Sequence, residues 1–479
     1  MKNGKSKLTV GIIVFAFFSF LALPLGYVRN WLLSSISVEY VSAFASINIF
    51  ISLVSTFFVF GATNVYSTFL PKIKNPSKQS QFVFSSYLNS AILMILMSVV
   101  FFIYYTKLPD RIIGTLQISN WAVAFFFVLF YGFGQTGVNI LIGLREYKLS
   151  AILNSMQIFA VTAFLFLIFV RLLPKFIGYE VDILLCLIGT VWCLVFIIFL
   201  CYFISHKGCS FRYYLPNGYW SQATFVHLGT ILSFLYGYAD QILVLGYLGE
   251  RELAQYFLIV QIASLITFLP IRLGNVFQSS FSAVLADTAN SNNSLELQYD
   301  KIARYTLLLT FSISSLFVLF NNEILSVFGR NLKLNSLCFL LLVVRYFIGS
   351  LGNIHSMIIL SSEKNISFFL MNTYMVIIQL LLSFILVKIY GVLGVVIALI
   401  LSTIVGQLNL AYLLVYKCNI CHFSLKKLLL IFLLLAILIL LSLVLKDIFF
   451  RSVILIATIL AVVKILNINV FGLIKIFIK

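Results

Sequence analysis

Charge is what this chain has least of. Only 10% of its 479 residues are Asp, Glu, Lys or Arg, and the acidic ones number just 14. A soluble protein of this length could not clothe its surface with so few charges, so a water-soluble enzyme or binding module is excluded. Histidine is scarce too: His206, His227, His355 and His422 are the full set, and they show no metal-ligand spacing. The 7 cysteines lie in apolar segments or on the side assigned below to the cytoplasm. They read as small apolar fillers, not as a disulfide framework. No Gly-rich loop ending in Lys-Ser/Thr is present, which argues against ATP hydrolysis, and no cofactor is called for. "CNICH", Cys418 to His422, matches the haem-attachment pattern. Haem is attached outside the cytoplasm, whereas this stretch falls in a short inside connection, so the match is coincidental.

What the chain has in abundance is apolar surface: 62% of residues are hydrophobic and the mean hydropathy is +1.11. That defines an integral membrane protein. The 32 Lys and Arg give a net charge of +18, but they are scattered between apolar runs. Such scatter suits topology determinants, and no basic patch interleaves with aromatics as a nucleic-acid groove requires. The N-terminus, "MKNGKSKLTVGIIVFAFFSFLALPLG", imitates a signal peptide but lacks a small-x-small cleavage site. It reads as an uncleaved first helix.

About 20 apolar residues cross the hydrocarbon layer as a helix. Candidate spans are Leu8–Val28, Ala43–Phe69, Phe82–Thr106, Trp121–Leu144, Leu149–Val170, Ile183–Ile204, Gln222–Leu248, Leu253–Leu285, Tyr305–Leu325, Leu334–Leu360, Ile366–Val387, Val392–Tyr416, Leu428–Leu445 and Val453–Ile474. The expected fold class is therefore all-α integral membrane, with about 14 transmembrane helices. With the N-terminus in the cytoplasm, 19 Lys and Arg fall on inside connections and 11 on outside ones. That bias places both termini in the cytoplasm of a multi-pass protein of the bacterial inner membrane. Trp31, Trp121 and Trp220 sit at span ends, as interfacial aromatics do; Trp192 lies within a span and receives no role. Connections are short, and the longest polar one, "DTANSNNSLELQYDK" from Asp287 to Lys301, is on the inside.

The chain also repeats weakly. "SFLALPLGYVRNWLLSSISVEYVSAFASI" from Ser19 and "SFLYGYADQILVLGYLGERELAQYFLIV" from Ser233 share an order of parts: long helix, short polar turn, second helix opening with aromatics. An even number of spans separates the copies, so the halves run the same way and would enclose a central cavity between two pseudo-symmetric lobes. The expected division is a six-helix lobe over 1–210, a second over 211–417, and two additional helices over 418–479. In this register Arg29 and Asp240 are rough counterparts.

"YADQILVLGYLGERELAQYFLIVQIASL" (Tyr238–Leu265) resembles the seventh-to-eighth-helix hairpin of the polysaccharide flippases in the multidrug/oligosaccharidyl-lipid/polysaccharide exporter superfamily. The likeness continues through "LPIRLGNVFQSSFSAVLAD" from Leu269, "VFGRNLKLNSLCFLLLV" from Val327 and "KIYGVLGVVIALILSTIVGQL" from Lys388. In the last, Gly391 and Gly394 stand where that family has its Gly-x-x-Gly opening of the twelfth helix. The O-antigen (Wzx) type fits best. The resemblance implies a non-enzymatic flippase that carries an undecaprenyl-pyrophosphate-linked oligosaccharide from the cytoplasmic to the outer leaflet. Its implied partners are that lipid-linked substrate and membrane lipids, with a polysaccharide polymerase and a chain-length regulator as further candidates.

Such a substrate calls for a few cations in a wet cavity plus amides for the sugar. Arg suits phosphate because its fork engages oxygens in pairs. Arg272, two residues after Pro270, Arg345 within the tenth span and Arg29 on the first are the candidate pyrophosphate contacts. Asn275 and Gln278 are candidate sugar contacts; Gln241 and Gln261 lie on or near the same helices. Asp240, an acid inside an apolar span, is the candidate gate or coupling residue, paired with Arg29 or Arg345. Alternatives are a lipid II flippase or a drug or cation antiporter of the same superfamily. From another class come an integral-membrane polysaccharide polymerase or sugar transferase. The first six spans carry no interior acid, against an antiporter, and the outside acids sit on short turns, against an enzyme.

Overall fold

The computed structural model describes residues 24–57, 66, 69–70, 73, 75–105, 120–144, 146–207, 212–268, 270–271, 291–329, 331–361, 365–418, 424–445 and 447–468. Among them every regular element is helical: α1 (24–36), α2 (Val38–Phe57), α3 (Pro76–Tyr105), α4 (Trp121–Gly143), α5 (Tyr147–Phe169), α6 (Glu180–Lys207), α7 (Tyr219–Leu248) and α8 (Glu250–Ala263). Then come α9 (Ser291–Leu319), α10 (Asn321–Phe328), α11 (Ser336–Gly349), α12 (Gly352–Ser361), α13 (Asn365–Tyr390), α14 (Val392–Cys418), α15 (Leu425–Val444) and α16 (Ile448–Leu466). Eleven helices among the described residues are long and apolar enough to cross a membrane. Each span read from the sequence after the first has a helix on it, and for the first only 24–28 is described, at the start of α1.

Helix boundaries follow local chemistry. Asn120 caps α4 by accepting from Ala122 N at 3.0 Å, Asn335 caps α11 by accepting from Leu337 N at 2.9 Å, and Asp447 caps α16 by accepting from Phe449 N at 2.7 Å. The α13–α14 hairpin turns on Gly391, whose φ of 58° favours a residue without Cβ. Gly394, one turn on, lies so close to the Leu386 carbonyl that a Cβ there would overlap it. The two glycines therefore do different work, one by conformation and one by close approach.

Two spans differ from the sequence reading. The stretch expected as the longest polar connection is helical from Ser291, so α9 begins well before the apolar run. The tenth span is not continuous: α11 ends at Gly349 and α12 starts at Gly352. Ser350 stands at the interruption. Its Oγ donates to the Phe347 carbonyl at 2.7 Å and its N–H to the same oxygen at 3.2 Å, a tighter turn that interrupts the i to i+4 ladder. Hydropathy averaged over a whole span does not register such a break, although Gly349, Ser350, Gly352 and Asn353 surround it.

The helices group into two compact units. The first comprises 1–254 with 330–332, the second 255–329 with 333–479. This is a division by packing; the lobes drawn at 210/211 follow the repeat instead, and remain a proposal.

In the first unit α4 and α6 pack most closely, and α2 lies against α6 and α7. Small residues allow it: a Cβ on Gly134 would stand 2.9 Å from the Trp192 carbonyl, and one on Gly189 would stand 2.9 Å from the Phe126 ring. Close approach through small residues is how helices associate where lipid removes the hydrophobic drive. Tyr131 meets Trp192 edge-on at 5.0 Å, and the Trp192 indole donates to Gln157 Oε1 at 3.0 Å. Trp192 thus ties α5 to α6, a role that hydropathy alone does not reveal.

In the second unit the α13–α14 hairpin packs on α11 and α12, while α9 contacts α11, α15 and α16. The C-terminal helices are pinned by arginines. Arg451 donates to Leu445 O through Nε at 2.8 Å and Nη2 at 2.5 Å, and through Nη1 to Glu323 Oε1 at 2.7 Å. Arg304 donates to Leu466 O at 3.0 Å, at the last turn of α16. Helix α16 stops there because Asn467 takes a left-handed φ of 53°.

Candidate functional site

The candidate residues fall in both units, and each unit is described by itself. In the first, Arg29 lies on α1 next to buried Asn30, to whose Oδ1 it donates through Nε at 3.4 Å and Nη2 at 3.2 Å. Its guanidinium carbon stands 4.4 Å from the Phe44 ring centroid on α2. A fork held by a neighbouring amide and laid over an aromatic face is partly desolvated but keeps donors available, which is what an anion site needs. Nearby connections are tied down: Asn331 donates to Ser34 O at 2.8 Å and Lys175 to Ile36 O at 3.0 Å.

On α7, Asp240 and Gln241 are both buried, at 5% and 3% exposure. The turn before them carries an aromatic stack: Phe234 and Tyr238 lie face to face at 5.7 Å, and Phe234 meets Phe57 of α2 edge-on at 5.8 Å. A carboxylate in such surroundings has a high cost in desolvation unless it is hydrogen-bonded or paired, so its retention points to a function or a fixed partner.

In the second unit Arg345 is half-buried on α11, with its guanidinium carbon 4.5 Å from the Tyr346 centroid. It sits just ahead of the break between α11 and α12. Around the break, Thr403 lies against Gly349 and the Gln407 amide covers Gly352, both from α14. Beyond it, the Tyr299 hydroxyl of α9 meets His355 Nε2 of α12 at 2.9 Å, with both side chains buried. The sequence reading passed over this pair. The signal was available, since His355 is an ionisable group within an apolar span, the same criterion that singled out Asp240 and Arg345.

Arg272, Asn275 and Gln278 lie outside the described residues, as do residues 419–422 of the "CNICH" stretch. Among the described residues no cluster of three or more His, Cys, Asp or Glu could hold a metal ion. Cys186, Cys193, Cys201 and Cys338 are not in disulfides.

Contacts within each unit respect the alternation of spans. Glu323 with Arg451, Asn331 with Ser34, Lys175 with Ile36, and Arg304 with Leu466 each join segments that the alternation puts on one side.

No family model matches the chain, and no curated protein does. Solved structures match over nearly its whole length. The lipid II flippase MurJ in an inward closed conformation superposes with a TM-score of 0.69 at 16% identity, covering 95% of this chain and 98% of that one. An inward-facing multidrug resistance MATE family transporter of the MOP superfamily gives 0.62 at 14% identity, covering 83% and 96%. A Vibrio cholerae MATE transporter gives 0.57 at 10% identity, covering 85% and 96%. The chain is thus an all-helical, multi-pass membrane protein with the fold shared by MurJ and the MATE transporters. That shared all-helical fold is the class to which the geometry assigns it.

Proposed function

We propose that this chain is a flippase for a polyprenyl-pyrophosphate-linked oligosaccharide. Its first candidate substrate is an O-antigen-type repeat unit on undecaprenyl pyrophosphate, moved from the cytoplasmic to the outer leaflet by alternating access. The observation that carries this reading is the fold likeness to a lipid II flippase across 95% of the chain. The MATE structures cover 83–85%, a shortfall comparable in length to the C-terminal segment with α15 and α16.

The chemistry agrees with it. The lipid tail can stay in the bilayer while the pyrophosphate and sugars need shelter. Arg29, Arg345 and Arg272 are the proposed pyrophosphate contacts, Asn275 and Gln278 the proposed sugar contacts, and Asp240 the proposed gate. A membrane potential negative inside favours outward movement of an anion by about 2.3 kcal/mol per charge for each 100 mV. The protein belongs, on this reading, in the bacterial inner membrane with both termini cytoplasmic. It is a carrier, not an enzyme, and works beside a polysaccharide polymerase and a chain-length regulator. Lipid II itself is a second reading, favoured because the neighbour MurJ is a lipid II flippase.

The test is complementation of a deletion strain with wild type, Arg272→Ala, Arg345→Ala and Asp240→Asn. Surface polysaccharide is followed against lipid-linked units in the cytoplasmic leaflet. Accumulation of repeat units inside, with synthesis continuing, supports the first reading. Arrest of peptidoglycan synthesis with lipid II retained inside supports the second. Single repeat units that reach the surface but are never extended would identify a polymerase and defeat both.

A further inference from the structure

The connection from α5 to α6 joins two helices that are each long and apolar enough to cross a membrane, so 170–179 lies at a membrane surface. Its sequence, "VRLLPKFIGY", holds two cations and no acid. Its large apolar side chains are not folded inward: Leu172, Ile177 and Tyr179 are 72%, 78% and 63% exposed. Such a cluster marks a surface that something apolar covers.

The display is rigid. Helix α5 ends in the paired bonds of a Schellman turn, Arg171 N to Ile168 O at 3.0 Å and Leu172 N to Leu167 O at 2.9 Å. Phe176 N donates to the Tyr40 hydroxyl at 3.1 Å, the Phe176 ring stacks on Phe164 at 6.3 Å, and Gly178 N donates to Glu180 Oε2 at 2.9 Å. Arg171 takes the left-handed position of the Schellman turn, at φ 62°, where glycine is the usual residue. An exposed arginine kept there against its backbone preference points to a use for its cation.

The neighbouring charges are engaged elsewhere. Lys175 Nζ donates to Ile36 O at 3.0 Å and lies near Glu39. Glu180 and Asp182 are buried, and they accept from Gly178 N and from Asn120 N. The turn therefore offers its surroundings a cation beside three large apolar side chains. Its depth is marked by Trp31, an interfacial aromatic on α1, whose ring lies 5.2 Å from that of Phe169, the last residue of α5.

We propose that the α5–α6 turn is a docking surface for anionic phospholipid in the leaflet it faces. Leu172 and Ile177 enter the boundary between acyl chains and headgroups, and Tyr179 lies there with its hydroxyl toward water. Arg171 takes the lipid phosphate through its fork. The turn is thereby a fixed footing for α5 and α6 at one membrane surface, separate from any carrier site.

Photocrosslinking tests this with the full chain in nanodiscs that hold equal amounts of phosphatidylglycerol and phosphatidylcholine with the same acyl chains. Ile177→benzoylphenylalanine should give phospholipid adducts by intact mass, with phosphatidylglycerol in about fivefold excess, as one cation at an anionic surface provides. Adding Arg171→Asn, which tolerates the left-handed backbone but carries no charge, should bring the two adducts to equality at an unchanged melting temperature. Leu194→benzoylphenylalanine, exposed in the middle of α6, is the reference and should show no headgroup preference. The proposal is overturned by the absence of lipid adducts at 177, by equal adducts in the presence of Arg171, or by an excess that survives Arg171→Asn or recurs at 194. Crosslinking at 177 to another protein in native membranes, in place of lipid, overturns it too. No transport substrate is present in the nanodiscs, so either outcome leaves the flippase reading standing.

Discussion

Arg451 Nη1 stands 2.7 Å from Glu323 Oε1, and the two residues are 128 positions apart in the chain. The arginine is buried while the glutamate is not, at 5% and 42% side-chain exposure. The pair fastens the start of α16 to α10. Most of the holding power lies in the two bonds to the Leu445 carbonyl, because the exposed carboxylate is screened. Replacing Arg451 by Met should cost about 1–3 kcal/mol of stability by stripping that carbonyl of its donors. Glu323→Gln should cost under about 1 kcal/mol. Thermal unfolding in detergent, with limited proteolysis reporting release of the C-terminal helices, checks both.

Gly394→Ala should be far worse than Gly352→Ala. The first puts a Cβ into the Leu386 carbonyl, which is backbone and cannot yield without bending α13. The second meets the end of the Gln407 side chain, which can rotate away. We expect about 1–3 kcal/mol or more for Gly394→Ala. Gly352→Ala should cost under about 1 kcal/mol and show normal membrane yield. Equal melting temperatures for the two would contradict the close-approach account.

Trp192→Phe keeps the edge-on contact with Tyr131 and removes the donor to Gln157. Loss of about 1 kcal/mol is expected. Because Gln157 then keeps an unsatisfied oxygen, Trp192→Phe with Gln157→Leu should recover part of that loss in a double-mutant cycle.

Asp240 and Arg29 belong to the same unit, on α7 and α1. If they interact across it, Asp240→Asn alone should impair transport more than Asp240→Asn with Arg29→Gln, since the single change leaves a cation unbalanced. Export assayed at matched protein levels decides this. A double variant no better than the single one removes the pairing from the mechanism.

Arg29→Lys preserves charge and loses the fork that engages Asn30 and the flat cation laid over Phe44. If Arg29 serves the substrate, export should fall about tenfold or more while the melting temperature moves little. A fall in stability with export unaffected would mark it as an interfacial anchor.

Much of the fold was legible because the bilayer makes severe demands. A backbone in hydrocarbon must satisfy its own hydrogen bonds, so a long apolar run can only be a helix. Hence runs such as Phe82–Thr106 and Val392–Tyr416 met helices α3 and α14 with boundaries a few residues away. The candidate site was legible only as single unusual residues. Asp240, Arg29 and Arg345 stood out as charges in apolar context, whereas Trp192, a large apolar-looking residue in an apolar span, did not.

Membrane residence, the order of spans and their alternation belong to the sequence alone, because each is a sum of transfer energies over a local window and needs no knowledge of neighbours. The pairing of Tyr299 with His355 and the anchoring of α16 by Arg451 and Arg304 were decided by tertiary structure. They depend on directed hydrogen bonds of about 3 Å, most of them between residues far apart in the chain. No window along the sequence contains both partners of such long-range bonds.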